Sequence, residues 1–575
     1  MKKLFAVLIT ICLLASALSF PAFAAEPVLK VQYGSQTKTF DNFEDGWNFA
    51  MEQANNEQEV YVTLLSDWIA KDGEFTDDTW NGAGFDYDTI YFADDVKVTL
   101  DLGGHTIDRR LMADEPNGEV MFINNDANVT IKNGTIKGGY SSNGAGGIHI
   151  EGAKVNLIDL VITKNSAMNM LDGNGTAIHH DDGGELYMKN CRIVDNDGSL
   201  RGLDMCGAVY LGGVDKVLIE DCYFADNDNV DYGAGIYAEE CNDFVIKNTT
   251  FENLNAGDRG GAIWVADSKL YIYNSKFSNN SCGNYGGAIY ADCAELYVYD
   301  TEFKGNYSDW DGGAIYLTAG GMANNSVPAY LYRSTFDGNG AGEDGGAIYC
   351  DGGLSVLTKA LTYGCDFINN SAGEYGGAVC LDMDCPFGFF SDEETGKPGT
   401  IKNNSAGELG GGVYQGKNAP IDFGGEIYAS GNTSSAGNDD IYIRYGGTPI
   451  DIFAITSPEG SIGLRYKNDD GGRLSEVNDE NKNVNLKVFF VNNEGLEVVR
   501  GEYRYSNLDD TMIPCINIAK KTSAAGSIFG EGSLTMIVAL LALIASGVSI
   551  FLTVYYNKKK TAPVAEDTKE TEDEE

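Results

Sequence analysis

The sequence Gly260-Gly261-Ala262-Ile263 recurs almost unchanged along the middle of the chain. It returns as Gly286-Gly287-Ala288-Ile289, Gly312-Gly313-Ala314-Ile315, Gly345-Gly346-Ala347-Ile348 and Gly376-Gly377-Ala378-Val379, with looser copies ending at Ile148, Ile178, Val209, Ile236 and Val413. A second string, Phe-x-x-Asn, begins 12 residues before the Ile or Val that ends the next copy, as from Phe277 to Ile289. Such a fixed spacing is typical of a repeat protein in which each repeat forms one structural unit.

The segments between the two strings have the pattern of β-strands. In Leu270-Tyr271-Ile272-Tyr273 and Leu296-Tyr297-Val298-Tyr299, aliphatic residues alternate with tyrosine. This period of two is typical of a strand with one buried face. Short strands repeated every ~26–34 residues wind most simply into a right-handed parallel β-helix. We therefore predict an all-β solenoid, similar to that of the pectate lyases, over residues 96–470.

Composition limits the function. The chain has 575 residues, 85 of them acidic and 40 basic, for a net charge of -45. Binding to nucleic acid needs a basic surface that neutralises phosphates, so no nucleic-acid partner is expected. Hydrophobic residues make up 43% of the chain, which excludes a wholly disordered protein.

Both ends of the chain have the pattern of export and anchoring segments. Residues 1–24 begin with lysines and end in Ala22-Phe23-Ala24, as a cleaved secretory signal does. Residues 534–556 carry no charge and are long enough to span a bilayer. Three lysines follow at 558–560, which places the acidic tail 557–575 in the cytoplasm. We expect a single-pass protein of the cell membrane with an extracellular ectodomain, on a Gram-positive-type bacterial surface.

Two terminal segments are expected to flank the solenoid. Residues 25–95 would form an N-terminal cap and first coil, with a helix over 43–54 capped by Asp41 or Asn42. Residues 471–518 would form C-terminal cap strands, in which 485–491 pairs with 496–505. Residues 519–533 would link this cap to the membrane helix.

The paired GGAI and FxxN strings resemble the repeats of the chlamydial polymorphic outer-membrane proteins and related adhesin-like β-helix proteins. The resemblance covers roughly residues 145–415 and implies a β-helix with an adhesin-like role at a cell surface. No C-terminal β-barrel pattern follows in this chain, so export in the manner of an autotransporter is not implied.

Equivalent positions of neighbouring repeats should stack into columns. We call the Ile or Val that ends each copy of the first string the anchor. The residue after each anchor should point outward, and this column reads His149, His179, Tyr210, Tyr237, Trp264, Tyr290, Tyr316, Tyr349, Cys380 and Tyr414. Its rings, Tyr210, Tyr237, Trp264, Tyr290, Tyr316 and Tyr349, are our candidates for binding a glycan or a protein. The alternative is that stacked rings only stabilise an exposed sheet.

A second column holds asparagines and a third holds acids. The Asn of each Phe-x-x-Asn string should mark a left-handed turn, with amides bonded along the rod. The candidates for binding Ca²⁺ as a cofactor are the acids Asp231, Asp258, Asp309, Asp311, Glu343 and Glu374. The alternative is that these acids are simply solvated.

The four histidines of the chain lie in its first third. His149, His179, His180 and Asp181 are the candidates for catalysis by a polysaccharide lyase or glycoside hydrolase. No complete signature of either enzyme class is present. We therefore favour a membrane-anchored, adhesin-like β-helix that binds a glycan or a cell-surface protein, with a surface enzyme as the alternative and a structural spacer as the third reading.

Overall fold

The computed structural model describes residues 26–54, 58–70, 89–110, 118–141, 144–167, 175–198, 207–227, 230–319, 327–352, 358–444, 450–453, 455–467, 472–476, 485–493, 496–504 and 512–520. The predicted signal segment 1–24, linker 519–533 (apart from residues 519–520), membrane segment 534–556 and tail 557–575 lie outside these residues. Among the described residues, no helix has the length and apolar character needed to cross a membrane.

The described strands wind into a parallel solenoid with three long faces in one continuous sheet. The anchor face consists of Ile90–Phe92, Met121–Ile123, Ile148–Glu151, Ile178–Asp181, Val209–Gly212, Ile236–Glu239, Ile263–Ala266, Ile289–Asp292, Ile315–Thr318, Ile348–Cys350, Val379–Leu381, Val413–Gln415 and Ile441–Ile443. The middle face consists of Glu59–Leu64, Lys97–Asp101, Glu185–Lys189, Lys216–Glu220, Phe244–Lys247, Lys269–Tyr273, Glu295–Tyr299, Val327–Tyr332, Thr358–Tyr363, Phe387–Phe390, Ile421–Gly424 and Ile450–Phe453.

The Phe face consists of Trp68–Ile69, Thr106–Asp108, Arg192–Val194, Tyr223–Ala225, Thr250–Glu252, Lys276–Ser278, Glu302–Lys304, Thr335–Asp337, Asp366–Ile368, Gly399–Lys402 and Ile427–Ser430. The long strands Asn128–Lys137 and Lys154–Thr163 run through both the middle and the Phe face. The short-strand face consists of Tyr140–Ser141, Ser166–Ala167, Val230–Tyr232, Asn255–Arg259, Ser281–Cys282, Tyr307–Ser308, Gly340–Ala341, Ser371–Ala372, Ser405–Ala406 and Thr433–Ser434, with Gly437–Asn438 paired antiparallel to the last of these.

The repeat strings set the register that the sequence predicts. Ile263 pairs with Ile289, and Ile289 with Ile315, one turn apart.

The two glycines of each Gly-Gly-Ala-Ile string have different roles. Gly286 has φ +73, a left-handed conformation that favours glycine. Gly287 packs so closely that a Cβ there would collide with the carbonyl oxygens of the next turn.

Stacked phenylalanines fill the core beneath the Phe face. Successive rings in this stack are nearly parallel, and their centroids lie 4.8–4.9 Å apart. The stack consists of Phe224, Phe251, Phe277, Phe303, Phe336 and Phe367. All six side chains are fully buried. The core is therefore one continuous column along the rod rather than a set of separate clusters.

The buried asparagines form the predicted ladder of amides. Asn280 Nδ2 donates to Asn306 Oδ1 at 3.0 Å, and Asn306 Nδ2 donates to Asn339 Oδ1 at 2.9 Å. The hydrogen-bond part of the prediction is confirmed, but the left-handed part is wrong. The left-handed residue is the one before, such as Asn279 with φ 54 or Asn369 with φ 58. The ladder asparagines lie just beyond that turn and point inward.

At the N-terminal end, the hairpin Leu29–Tyr33 and Gln36–Phe40 precedes helix α1, Phe43–Ala54. The helix has the predicted bounds, and Asn42 Oδ1 accepts a hydrogen bond from Asp45 N at 3.1 Å. The buried face of α1 packs on the first strands, and Trp47 Nε1 donates to Tyr91 O at 3.0 Å.

At the C-terminal end the strands pair differently from the prediction. After Ile462–Tyr466 and the 3₁₀ turn Leu486–Val488, strand Phe489–Val491 pairs in parallel with Ile462–Tyr466. The solenoid pairing thus extends past the predicted boundary at residue 470. Strand Leu496–Arg504 does not pair with it but joins an antiparallel sheet with Met512–Lys520, which also pairs with Gly472–Glu476. This nine-residue pairing with Met512–Lys520 buries Leu496, Ile516 and Ile518.

Candidate functional site

The predicted aromatic column exists as a stack of rings outside the anchor face. Tyr210 and Tyr237 lie 5.4 Å apart, Tyr237 and Trp264 4.1 Å, and Tyr290 and Tyr316 5.3 Å, with interplanar angles of 6–13°. Tyr316 and Tyr349 continue the column at 5.1 Å. Each ring therefore presents its faces to its neighbours in the stack.

Part of this column is covered as well as stacked. Tyr290 is 6% exposed and Tyr316 is 7% exposed. The ring of Tyr285, from the turn before the anchor, lies 4.7 Å from Tyr316 and 6.5 Å from Tyr290. The Arg259 guanidinium lies 5.3 Å from the centre of the Tyr290 ring. A sugar that stacks on an aromatic ring needs a free ring face, which this part of the column does not offer.

Two exposed rings lie beside the column, on the short-strand face and the turn that follows it. Tyr307 is 45% exposed and Trp310 is 46% exposed. In the short-strand face the neighbours of Tyr307 are Ser281 and Gly340. Because Gly340 has no side chain, the Tyr307 ring lies against its backbone, where a Cβ would come within 3.2 Å of Tyr307 Cδ2. The Trp310 ring stands edge-on to Tyr285 at 5.5 Å.

The predicted histidines divide between the two sides of the anchor face. In the pairing of Ile148–Glu151 with Ile178–Asp181, His149 lies beside His179, and Ile150 lies beside His180. Strand alternation sends His179 outward and His180 into the core, where it is fully buried. Burial lowers the pKa of His180 to about 4. His180 therefore does not join the other candidates on the outer side of the anchor face.

The outer group consists of His149, His179 and Asp181. His179 Nε2 lies 3.1 Å from Asp181 Oδ2, and His149 Nε2 lies 3.8 Å from Glu151 Oε1. Burial, and next the neighbouring His179, lower the pKa of His149 to about 3. Burial alone would raise the pKa of Asp181, but the hydrogen bond with His179 and the nearby imidazoles lower it. Both effects favour a neutral His149 beside an ionised Asp181.

In the described part of the chain, the predicted calcium acids do not form a group whose ligand atoms lie close enough together to hold an ion. Asp309, Glu343 and Glu374 are exposed, and Asp258 accepts a hydrogen bond from Asn284 Nδ2. Among the described residues, the group whose His, Cys, Asp or Glu atoms come close enough to hold a metal ion is His149, His179 and Asp181. The structure thus moves the candidate metal position from the acid column to the histidines.

Asp311 differs from Asp309, Glu343 and Glu374 because it is half-buried. It lies just before strand Ile315–Thr318, which carries Tyr316 of the aromatic column. Its Oδ1 accepts a hydrogen bond from Asp344 N at 3.0 Å, and Asp344 Oδ1 accepts one from Tyr375 N at 2.8 Å. Burial, with a further contribution from neighbouring acids, raises the pKa of each carboxyl to about 7, although these hydrogen bonds lower it. Asp311 was named from the sequence only as a calcium candidate, and Asp344, which has no distinguishing pattern, was not singled out, so this pair of carboxyls was not predicted.

Comparison with known proteins supports the fold class. Residues 119–303 and 207–385 match the family model described as "Right handed beta helix region". Together with the parallel solenoid, this match over residues 119–385 supports the predicted right-handed β-helix repeat class. The narrower resemblance to the chlamydial proteins is not confirmed by it. No curated protein and no solved structure matches the chain.

The exposure of the Tyr307 and Trp310 rings was not predicted from the sequence, although the signal for Tyr307 is present there. The position of Tyr307 is occupied by Ser281, Gly340, Ser371 and Ser405 in neighbouring repeats. A large ring in a column of small residues has no partner to stack on. It is therefore left with an exposed face, unlike the tyrosines of the anchor column.

Proposed function

We propose that this protein is an extracellular, membrane-anchored β-helix that binds a glycan at an exposed aromatic patch formed by Tyr307 and Trp310. The observation that carries the proposal is the 45% and 46% exposure of these two rings on a rigid solenoid. Amphipathic rings with a free face are the side chains that present large contact area at low entropic cost. An adhesin-like role also agrees with the resemblance of the repeats to adhesin-like surface proteins.

The charge around the patch limits the ligand. Asp309 lies between the two rings in sequence and Glu343 lies on the next turn, and both side chains are exposed. Carboxylates repel a polyuronate but can accept hydrogen bonds from sugar hydroxyls. A neutral or amino-bearing glycan therefore fits this surface better than an acidic one. Display outside the cell and retention at the membrane rest on residues 1–24 and 534–556 of the sequence.

The test is binding of the full-length chain, held in a mild detergent, to an array of neutral, amino and acidic glycans. We expect Tyr307→Ala and Trp310→Ala each to weaken binding at least 10-fold, because each removes one ring face. Tyr61→Ala is the matched control, since Tyr61 is 44% exposed but lies at the far N-terminal end of the middle face. Surface labelling of intact cells, with and without residues 534–575, tests the anchoring.

The proposal fails if the full chain binds no glycan, or if Tyr307→Ala and Trp310→Ala bind as well as the Tyr61 control. Sugar release measured on the same preparations separates the two other functions. Product formation would support a surface enzyme, and neither binding nor product would leave a structural spacer. The enzyme is the weaker candidate because a buried imidazole with a pKa of about 3, as at His149, is a poor general base near neutral pH.

A further inference from the structure

Three side chains on two neighbouring turns converge outside the N-terminal part of the anchor face. His149 and His179 are adjacent in the parallel register, and Asp181 lies two residues after His179 on the same side of its strand. One ligand atom from each of the three lies within 4.8 Å of the other two. The group is distant in sequence from the aromatic patch and independent of glycan binding.

Two atoms of this group are buried without a partner. His179 is 6% exposed, and its Nδ1 has no hydrogen-bond partner among the described residues. Asp181 Oδ1 is likewise buried without a partner in that part of the chain. Leaving a polar atom unsatisfied costs about 1–3 kcal/mol, more when the group is charged. An ion bound to the Asp181 carboxylate can satisfy Oδ1 as well as the Oδ2 that faces His179 Nε2, whereas His179 Nδ1 lies on the other side of the ring and stays unpaired.

The surroundings hold both imidazoles in place. The ring of Phe122 packs edge-on against His149 at 4.7 Å, and the ring of Tyr210 stacks on His179 at 4.6 Å. His149 Nδ1 lies against the backbone of Gly144, where a Cβ would collide with the imidazole. His149 Nε2 is left on the side of the Glu151 carboxylate. Imidazoles fixed in this way lose little entropy when they bind a metal ion.

We propose that His149, His179 and Asp181 bind a divalent first-row transition-metal ion of the Zn²⁺ type. Imidazole nitrogen suits Zn²⁺, whereas Ca²⁺ takes oxygen ligands almost exclusively. The 3.1 Å between His179 Nε2 and Asp181 Oδ2 is close to the ~3.3 Å that separates two tetrahedral ligands of one Zn²⁺ ion. Three protein ligands leave one tetrahedral position for water or an exchangeable ligand.

The test is a titration of the metal-stripped full-length chain, purified without a histidine tag, by isothermal titration calorimetry with Zn²⁺ and with Ca²⁺. We expect one Zn²⁺ per chain, and at least 10-fold weaker binding in His179→Ala and in Asp181→Asn. His105→Ala is the matched control, because His105 is a partly exposed histidine whose Nδ1 lies 3.4 Å from Asp67 Oδ1. Ca²⁺ should not displace the bound Zn²⁺.

Cobalt(II) gives a second readout that does not depend on the variants. A tetrahedral Co²⁺ site with nitrogen and oxygen ligands absorbs visible light much more strongly than hydrated Co²⁺, and Zn²⁺ should abolish the band. Asp181→Asn keeps the side-chain volume, so it carries the test if His179→Ala does not fold. The proposal is overturned if the wild-type chain takes up no Zn²⁺, or if Asp181→Asn and the control bind equally. It is also overturned if Ca²⁺ competes with Zn²⁺ on equal terms. That result would indicate nonspecific attraction of cations to a chain with a net charge of -45.

Discussion

At the scale of single residues, Asp311 and Asp344 make stability depend on pH. Their pKa values are about 7 in the folded chain, raised by burial from an ordinary value of 3.8. Between about pH 4 and pH 7 the folded chain therefore holds protons that the unfolded chain has released. The free energy of unfolding falls as pH rises through this window, and little further change from these groups follows above it.

Replacing both carboxyls with amides should remove that loss. We expect Asp311→Asn with Asp344→Asn to raise the free energy of unfolding at pH 8 by several kcal/mol, since a pKa raised from 3.8 to about 7 corresponds to about 4 kcal/mol per group, and to change it little at pH 4. The amide oxygens can still accept the backbone hydrogen bonds. Thermal unfolding across pH 4–8 measures this, with exposed Asp309→Asn as the control. Parallel pH profiles for the double variant and the wild type would contradict it.

The outer residues show where sequence reasoning reached its limit. Strand alternation placed His149, His179 and the aromatic column outside correctly. The same alternation puts Asp181 beside His179 and turns His180 inward, so this grouping was available from the sequence. The near-burial of Tyr290 was not, because Tyr285 covers it from a turn whose path depends on tertiary packing.

At the scale of one structural element, the asparagine ladder should contribute strongly to stability. Asn306 Nδ2 donates to Phe277 O at 3.0 Å, and its Oδ1 accepts from Asn280 N and Nδ2 at 3.1 and 3.0 Å. Asn306→Ala leaves these buried groups unsatisfied and should cost about 3 kcal/mol, measured by urea unfolding. Exposed Asn255→Ala should cost less than about 0.5 kcal/mol. Equal midpoints for the two variants would show that water replaces the ladder amide.

The ladder was predictable in position but not in conformation. The repeated spacing from phenylalanine to asparagine fixed which residues stack, and burial then required their amides to bond with one another. Which residue of the turn adopts the left-handed conformation depends on how the chain re-enters the sheet. Residues of different types adopt the left-handed conformation at this position of the turn, among them Lys164, Asp195, Asn279 and Gly305.

At the scale of the whole molecule, the fold followed from the repeat because each string sets the register of the next turn. The last described segments lack both strings, so the sequence could not decide between pairing partners there. Strand Phe489–Val491 joined the solenoid, and Leu496–Arg504 joined a separate antiparallel sheet. Prediction was therefore accurate where repeats constrain one another and failed where a strand chooses among unrelated partners.

A solenoid of this kind should lose stability locally rather than all at once. Each turn contacts only its neighbours, so the free energy is close to a sum of turn and interface contributions. Phe303 is fully buried between Phe277 and Phe336 at 4.9 and 4.8 Å, and Phe303→Ala should cost about 3–5 kcal/mol. Hydrogen exchange should then show lost protection in Lys276–Ser278 and Thr335–Asp337.

The distant strands of the rod provide the decisive comparison for this prediction. Protection in Met121–Ile123 and Ile441–Ile443, far along the rod in both directions, should stay at the wild-type level in Phe303→Ala. Lys304→Ala, an exposed change in the same strand, controls for mutation as such. If protection falls equally in every strand, the rod unfolds as one cooperative unit, and nearest-neighbour coupling does not describe it. If it falls only beside Phe303, the proposed binding patch at Tyr307 and the histidine group can be altered separately, because several turns of the solenoid lie between them.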